Sequence, residues 1–141
     1  MRTGAITLSI ESEFANVFLI GLAINKIARS IQLSEQAAFE MELAVVEAVN
    51  NAVEHAHRQR RDKRVTVQVS LEPTHIRFTV IDQGPTVHFE PLMSAAAGME
   101  NATEIERGHG LAMIRALMDE VSYERKGRAN HVTLIKYLKR S

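Results

Sequence analysis

The sequence predicts an α+β protein, a two-layer sandwich with helices on one face of a mainly antiparallel sheet. Three observations carry that expectation. Val65, Val67, Val69 and Leu71, then Ile76, Phe78 and Val80, alternate on either side of Pro73, as an antiparallel hairpin with one buried face would. Residues 13–58 are spaced for helix instead. The elements run β-α-α-β-β-loop-α-β-β, which groups strands and helices as an α+β sandwich does.

Taken in order, residues 4–10 alternate well enough for a first strand. Residues 13–30 then place Phe14, Val17, Phe18, Ile20, Leu22, Ile24 and Ile27 around most of a helix. A helix that apolar is buried on several sides or meets a partner, and burial is the commoner arrangement. Ser34 is the expected N-cap of a long second helix, residues 35–58, with Ala37 where a capping box would need Glu or Gln. "RQRRDKR" has five basic residues in seven and reads first as a solvated turn. After the hairpin, residues 85–106 are rich in Ala, Gly, Met and Glu without a firm period, so a mobile loop is expected there. "RGHGLAMIRALMDEV" offers two glycines and then a helix with Leu111, Ile114, Leu117 and Met118 on one face. "EVSYERK" and "HVTLIKYL" close the chain as strands around a turn at Gly127.

Composition bounds the function. The 141 residues suit a single domain, residues 1–141, with one real core. Seventeen Lys plus Arg balance seventeen Asp plus Glu, so no global field draws the chain to nucleic acid or to an anionic membrane. Without cysteine there is no disulfide and no thiolate metal site. The longest apolar run, "VFLIGLAI", has eight residues, far below the ~20 of a membrane span. No signal peptide is expected, and a cytoplasmic protein is the default.

Two adjacent asparagines, Asn50 and Asn51, interrupt "ELAVVEAVNNAVEHA", a run of good helix formers. At 100° per residue Glu47, Asn51 and His55 share one stripe, with Glu40, Glu54 and Arg58 close to it. By periodicity alone this is first the wet face of an amphipathic helix. Its functional reading is an amide oxygen on a hard cation, with a carboxylate one turn earlier beside a reacting phosphate. "IDQG" ends a strand, where Asp82 can accept from an amino group and Gly84 lets a flat ligand approach the backbone. "GHGL" opens a helix, and Gly at a helix N-terminus can cradle phosphate. Each motif alone is more often a turn or a helix entry. All three in this order are uncommon.

In these motifs the chain resembles the GHKL, or Bergerat-fold, ATPases, and within them the bacterial anti-sigma-factor serine/threonine kinases. "EAVNNAVEH" is similar to that family's N box, "DQG" to its first glycine box, "RGHGL" to its second, and "LMDEV" to the anti-sigma kinases in particular. The resemblance implies Glu47 as general base, Asn51 as magnesium ligand and Asp82 as acceptor of the adenine amino group. It implies Gly108, His109, Gly110 and Leu111 around the phosphates of ATP, under a lid of about residues 85–110. Arg107 could reach the γ-phosphate or simply stay in solvent. Two positions depart from the family's pattern. Thr86 follows Pro85 where a second Gly is usual, and Ala129-Asn130 replaces Gly-Thr, with Asn130 able to keep a polar contact near adenine.

The function so implied is an Mg-ATP-dependent serine/threonine kinase acting on a STAS-type antagonist protein in a partner-switching system. A homodimer is implied too, as is a sigma factor or other regulator as second partner. The alternative is a binding module that sequesters the regulator without significant kinase activity. Glu47 favours the kinase, because a pure binder has no use for a base there.

Overall fold

The computed structural model describes residues 3–56, 62–85 and 102–138, with the backbone alone for 55–56 and 102–109. Five strands form one sheet in the order β1-β2-β3-β5-β4, every neighbouring pair antiparallel. They are β1 (Gly4–Glu11), β2 (Arg64–Leu71), β3 (His75–Asp82), β4 (Glu120–Lys126) and β5 (Ala129–Tyr137). Three helices cover one face: α1 (Phe14–Ser30), α2 (Glu35–Asn51) and α3 (Ala102–Leu117). This is the predicted α+β sandwich.

The hairpin is the part that alternation reads best. Val65, Val67, Val69, Leu71, Ile76, Phe78 and Val80 are all buried and form the floor of the core. Residues on the opposite face pair in rows. Thr7, Gln68, Thr79, Thr133 and Ser122 stand opposite one another in turn across all five strands. Threonine suits such a row, because its branched Cβ fits the pleat while its hydroxyl meets water.

The helices close over the floor with α2 in the middle. Ser34 is its N-cap as expected, and its Oγ accepts from the Ala37 amide at 3.1 Å. Ala38, Met41, Ala44, Val45, Ala48 and Val49 form its buried face. Gly21 lets α1 come close, since a Cβ there would lie 2.9 Å from Val46 Cγ2. Beside that contact Asn25 Nδ2 donates to Glu42 Oε1 at 2.9 Å. The expectation for α1 is met on one side only. Val17, Ile20, Ile24 and Ala28 are buried, whereas Phe18 and Leu22 are 61% and 59% exposed, with Phe14 and Leu19 beside them. One helix of a two-layer sandwich has a single sheet-facing side, so among the described residues nothing covers its remaining apolar side chains.

Two further differences bear on function. The second helix does not run as a regular α-helix to residue 58: it widens into a π-helical turn at Ala52–Ala56. The asparagine pair thus marks the end of the α-helical stretch rather than its middle. Helix α3 begins at Ala102, so the last residues of the expected lid are already helical. The rest of that lid, from Thr86 onward, lies outside the described residues, as does Arg58.

Candidate nucleotide and catalytic site

Glu47 and Asn51 stand one turn apart on α2, both half-buried, and Asn51 is its last residue. The helix then changes to π geometry, in which hydrogen bonds run i→i+5. Such turns are frequent at functional sites. The stripe drawn at 100° per residue therefore stops at Asn51. His55 lies in the π turn, its side chain outside the described residues.

Burial pushes the Glu47 carboxyl above its ordinary value, and the nearby charge of Glu54 pushes it further the same way. A carboxylate so raised binds a proton more firmly than an exposed one and is a better general base near neutral pH. Glu40, expected near the stripe, serves elsewhere. Lys136 Nζ lies 3.9 Å from its Oε2 and Gln36 Nε2 donates to its Oε1 at 3.2 Å, toward the N-terminal end of α2.

Gly110 faces Glu47 from α3. Glu47 Oε1 sits where a Cβ on residue 110 would have to be, and Glu47 Cδ would be 3.0 Å from that Cβ. Only glycine lets α3 lie this close to the carboxylate. The backbones of Arg107, Gly108 and His109 lie inside α3 rather than ahead of it, so the N-terminal cradle expected at "GHGL" is not formed there. The segment "ATEIER" ahead of it consists largely of good helix formers, which carries the helix start back to Ala102. Leu111 is buried in the core, which fixes Gly110 beside Glu47.

The residues expected on the adenine side meet at the C-terminal end of β3. Asp82 is 4% exposed, and its Oδ1 accepts from the Gly84 amide at 2.8 Å and from Asn130 Nδ2 at 2.9 Å. Asn130 stands directly opposite Asp82 in the β3–β5 register. Two residues of β4 complete the cluster. Tyr123 donates to Asn130 Oδ1 at 2.6 Å, and Arg125 Nη1 donates to Asn130 Oδ1 at 3.0 Å and to the Gly84 carbonyl at 2.6 Å. Sequence reasoning missed Tyr123 and Arg125. The available signal was their i, i+2 spacing in "EVSYERK", which puts both on the more buried face of β4.

The sequence profile of the histidine kinase-like ATPase domain matches residues 10–136. The chain belongs to this family. It is 29% identical over 120 residues to the serine-protein kinase RsbW of Listeria innocua, covering 82% of this chain and 76% of that one. It is 26% identical over 140 residues to the RsbW of Staphylococcus epidermidis, covering 96% and 87%. Two solved structures share the fold. One contains the RsbU and RsbW domains of Rv1364c from Mycobacterium tuberculosis (TM-score 0.68, 19% identity), covering 95% of this chain and 32% of that chain. The other is the SiaB–SiaC complex from Pseudomonas aeruginosa (TM-score 0.65, 17% identity), covering 94% and 88%.

The donor set suits Mg-ATP. Magnesium keeps several waters and takes few protein oxygens plus substrate phosphates, so one neutral amide at Asn51 is a fitting ligand. Among the described residues no three His, Asp or Glu come together as a candidate metal cluster.

Proposed function

We propose that this chain is an ATP-dependent serine/threonine protein kinase that phosphorylates a STAS-type antagonist protein. One observation carries the reading most: a half-buried Glu47, its carboxyl raised above the ordinary value by burial and by Glu54, lies one helical turn before Asn51 and directly under Gly110. Asn51 holds magnesium, Asp82 accepts from the adenine amino group, and the backbone around Gly84, Gly108 and Gly110 borders the nucleotide. Arg107 and His109 complete its surroundings, while Leu111 anchors α3 in the core and Asn130 braces Asp82. Magnesium held there would supply charge neutralisation at the phosphates. Glu47 takes the serine hydroxyl proton as Oγ attacks the γ-phosphorus, and ADP leaves. So few side chains suffice because phosphoryl transfer is mostly positioning and charge neutralisation. The names of the RsbW relatives support the protein-serine substrate, and the SiaB–SiaC complex supports a protein partner for this fold.

No described helix is long and apolar enough to cross a membrane; a cytoplasmic location is part of the proposal. A homodimer is supported by the exposed Phe14, Phe18, Leu19 and Leu22 of α1. Incubation with radiolabelled ATP and a STAS-type protein from the same genome tests the kinase: label should enter one serine and be lost when that serine becomes alanine. Label on neither partner would leave the binding-module reading in its place.

Partner switching gives a second expected result. The unphosphorylated antagonist displaces the regulated target, and phosphoserine reverses this by adding charge beside Glu47 and Glu54. In pull-downs, Ser→Ala antagonist should displace the target with either nucleotide, wild-type antagonist should displace it with ADP and lose that ability with ATP, and Ser→Asp should not displace it with either. Equal binding of all three under both nucleotides would sink the switch.

Gly110→Ala should separate activity from stability. Alanine is about 1 kcal/mol better than glycine inside a helix, and the atom it meets is the movable end of Glu47. The variant is therefore expected to melt no lower than the parent while phosphorylating its substrate at least ~10-fold more slowly, because the carboxylate is pushed aside. Unchanged turnover would show that this contact does not place the base.

A further inference from the structure

We propose that Arg125 and Asn130 act together as positioning residues for the nucleotide base, latching the Asp82–Pro85 turn to the β4–β5 hairpin. The inference rests on the reading of Asp82 as the adenine acceptor and adds what holds Asp82 in place.

The latch is defined by its hydrogen bonds. Asn130 Nδ2 faces Asp82 Oδ1 at 2.9 Å, the Gly84 carbonyl at 3.3 Å and the Pro85 carbonyl at 2.9 Å. All three are acceptors. Its Oδ1 faces two donors, Tyr123 Oη and Arg125 Nη1. The amide can therefore lie only one way round, and only an amide of this length serves both sides. Aspartate would set oxygens against three acceptors. Threonine would bring one hydroxyl to five groups. At 1% exposure Asn130 has no ready access to water that could replace a missing partner.

Arg125 supplies the second anchor. Its Nη1 bonds both the Gly84 carbonyl and Asn130 Oδ1, so the turn is held by its backbone as well as by Asp82. Two donors on Asp82 Oδ1, the Gly84 amide and Asn130, fix the plane of the carboxylate and hence where its other oxygen is presented. This chain has Thr86 rather than glycine after the turn, so the base-side geometry is set by side chains from β4 and β5. Adenine binding then depends on residues that do not themselves contact the base, and phosphate binding does not.

Calorimetric titration of the full chain with Mg-ATP and with Mg-tripolyphosphate, which has no base, separates these roles. Asn130→Ala and Arg125→Ala are each expected to lose about 10–100-fold in ATP affinity, the range for a hydrogen bond to a charged group. Tripolyphosphate affinity should be unchanged. Asn130→Asp should lose more than Asn130→Ala, and Asp82→Asn combined with Asn130→Ala should lose no more than the worse single variant. Equal losses for ATP and tripolyphosphate, or ATP affinity unchanged in both Ala variants, would overturn the latch. If Asn130 variants do not fold, Arg125→Lys decides alone, since it keeps the charge but cannot reproduce the guanidinium contact: ATP weakened selectively supports the latch, and parental ATP affinity overturns it. Asp82→Asn alone is the control on the underlying reading. If it binds ATP like the parent while the Ala variants do not, the base is held elsewhere, and the latch to Asp82 falls with that assignment.

Discussion

Glu47→Gln is expected to bind Mg-ATP like the parent and to phosphorylate its protein substrate about 10²-fold or more slowly. Glutamine preserves the length and hydrogen-bonding capacity of the side chain, including its fit under Gly110, but it cannot accept the serine proton. Because burial and Glu54 raise the Glu47 carboxyl, the parent's activity should fall on acidification at a higher pH than an ordinary carboxylate would give. Stability moves the other way. Between its ordinary and its raised value, folded Glu47 holds more protons than the unfolded chain, so stability falls as pH rises through that window. At neutral pH the charged, half-buried carboxylate is a liability, and Glu47→Gln should melt higher than the parent. Below the ordinary carboxylate range that advantage should vanish. Single-turnover transfer from labelled ATP, beside melting curves across pH, checks both parts. Parental turnover in the glutamine variant would return Glu47 to the solvated face of an amphipathic helix.

The sequence made the scaffold legible wherever one apolar face meets one core. The β2–β3 hairpin, the Ser34 cap and the buried face of α3 follow from period and cap chemistry alone. It also brought Glu47, Asp82 and Gly110 forward, because each belongs to a short local motif. Three things were beyond that kind of reading. The π turn after Asn51 has no local signal, because its sequence, "AVEHA", contains nothing against a regular helix. Helix α3 starts earlier than its glycines suggest, because the segment ahead of them favours helix by itself. The Tyr123–Arg125–Asn130 cluster requires knowing that β5 lies between β3 and β4. Strand order is a property of the assembled sheet, and period-two alternation carries no trace of it.

Asn51→Ala is expected to lose the magnesium-dependent part of ATP binding and to slow phosphoryl transfer by roughly 10²–10³-fold, as loss of several kcal/mol of metal stabilisation implies. Magnesium binds hard oxygen, and an alanine at 51 removes the amide oxygen at the end of α2 that stands one turn from Glu47. Glu47 cannot substitute for it without ceasing to be the base. Misfolding is an unlikely source of the defect on energetic grounds, since Ala is up to ~0.7 kcal/mol better than Asn in a helix. The neighbouring residue provides the control. Asn50→Ala makes the same change in helix preference one residue earlier, about 100° around the helix, where the oxygen no longer faces the Glu47 stripe. Titrating ATP with and without magnesium should therefore show a metal-dependent affinity gain in the parent and in Asn50→Ala, and none in Asn51→Ala. If the two alanine variants behave alike, whether both keep the gain or both lose it, the metal does not sit on Asn51. The cost of placing asparagine in this helix would then have to be explained by the π turn that follows it.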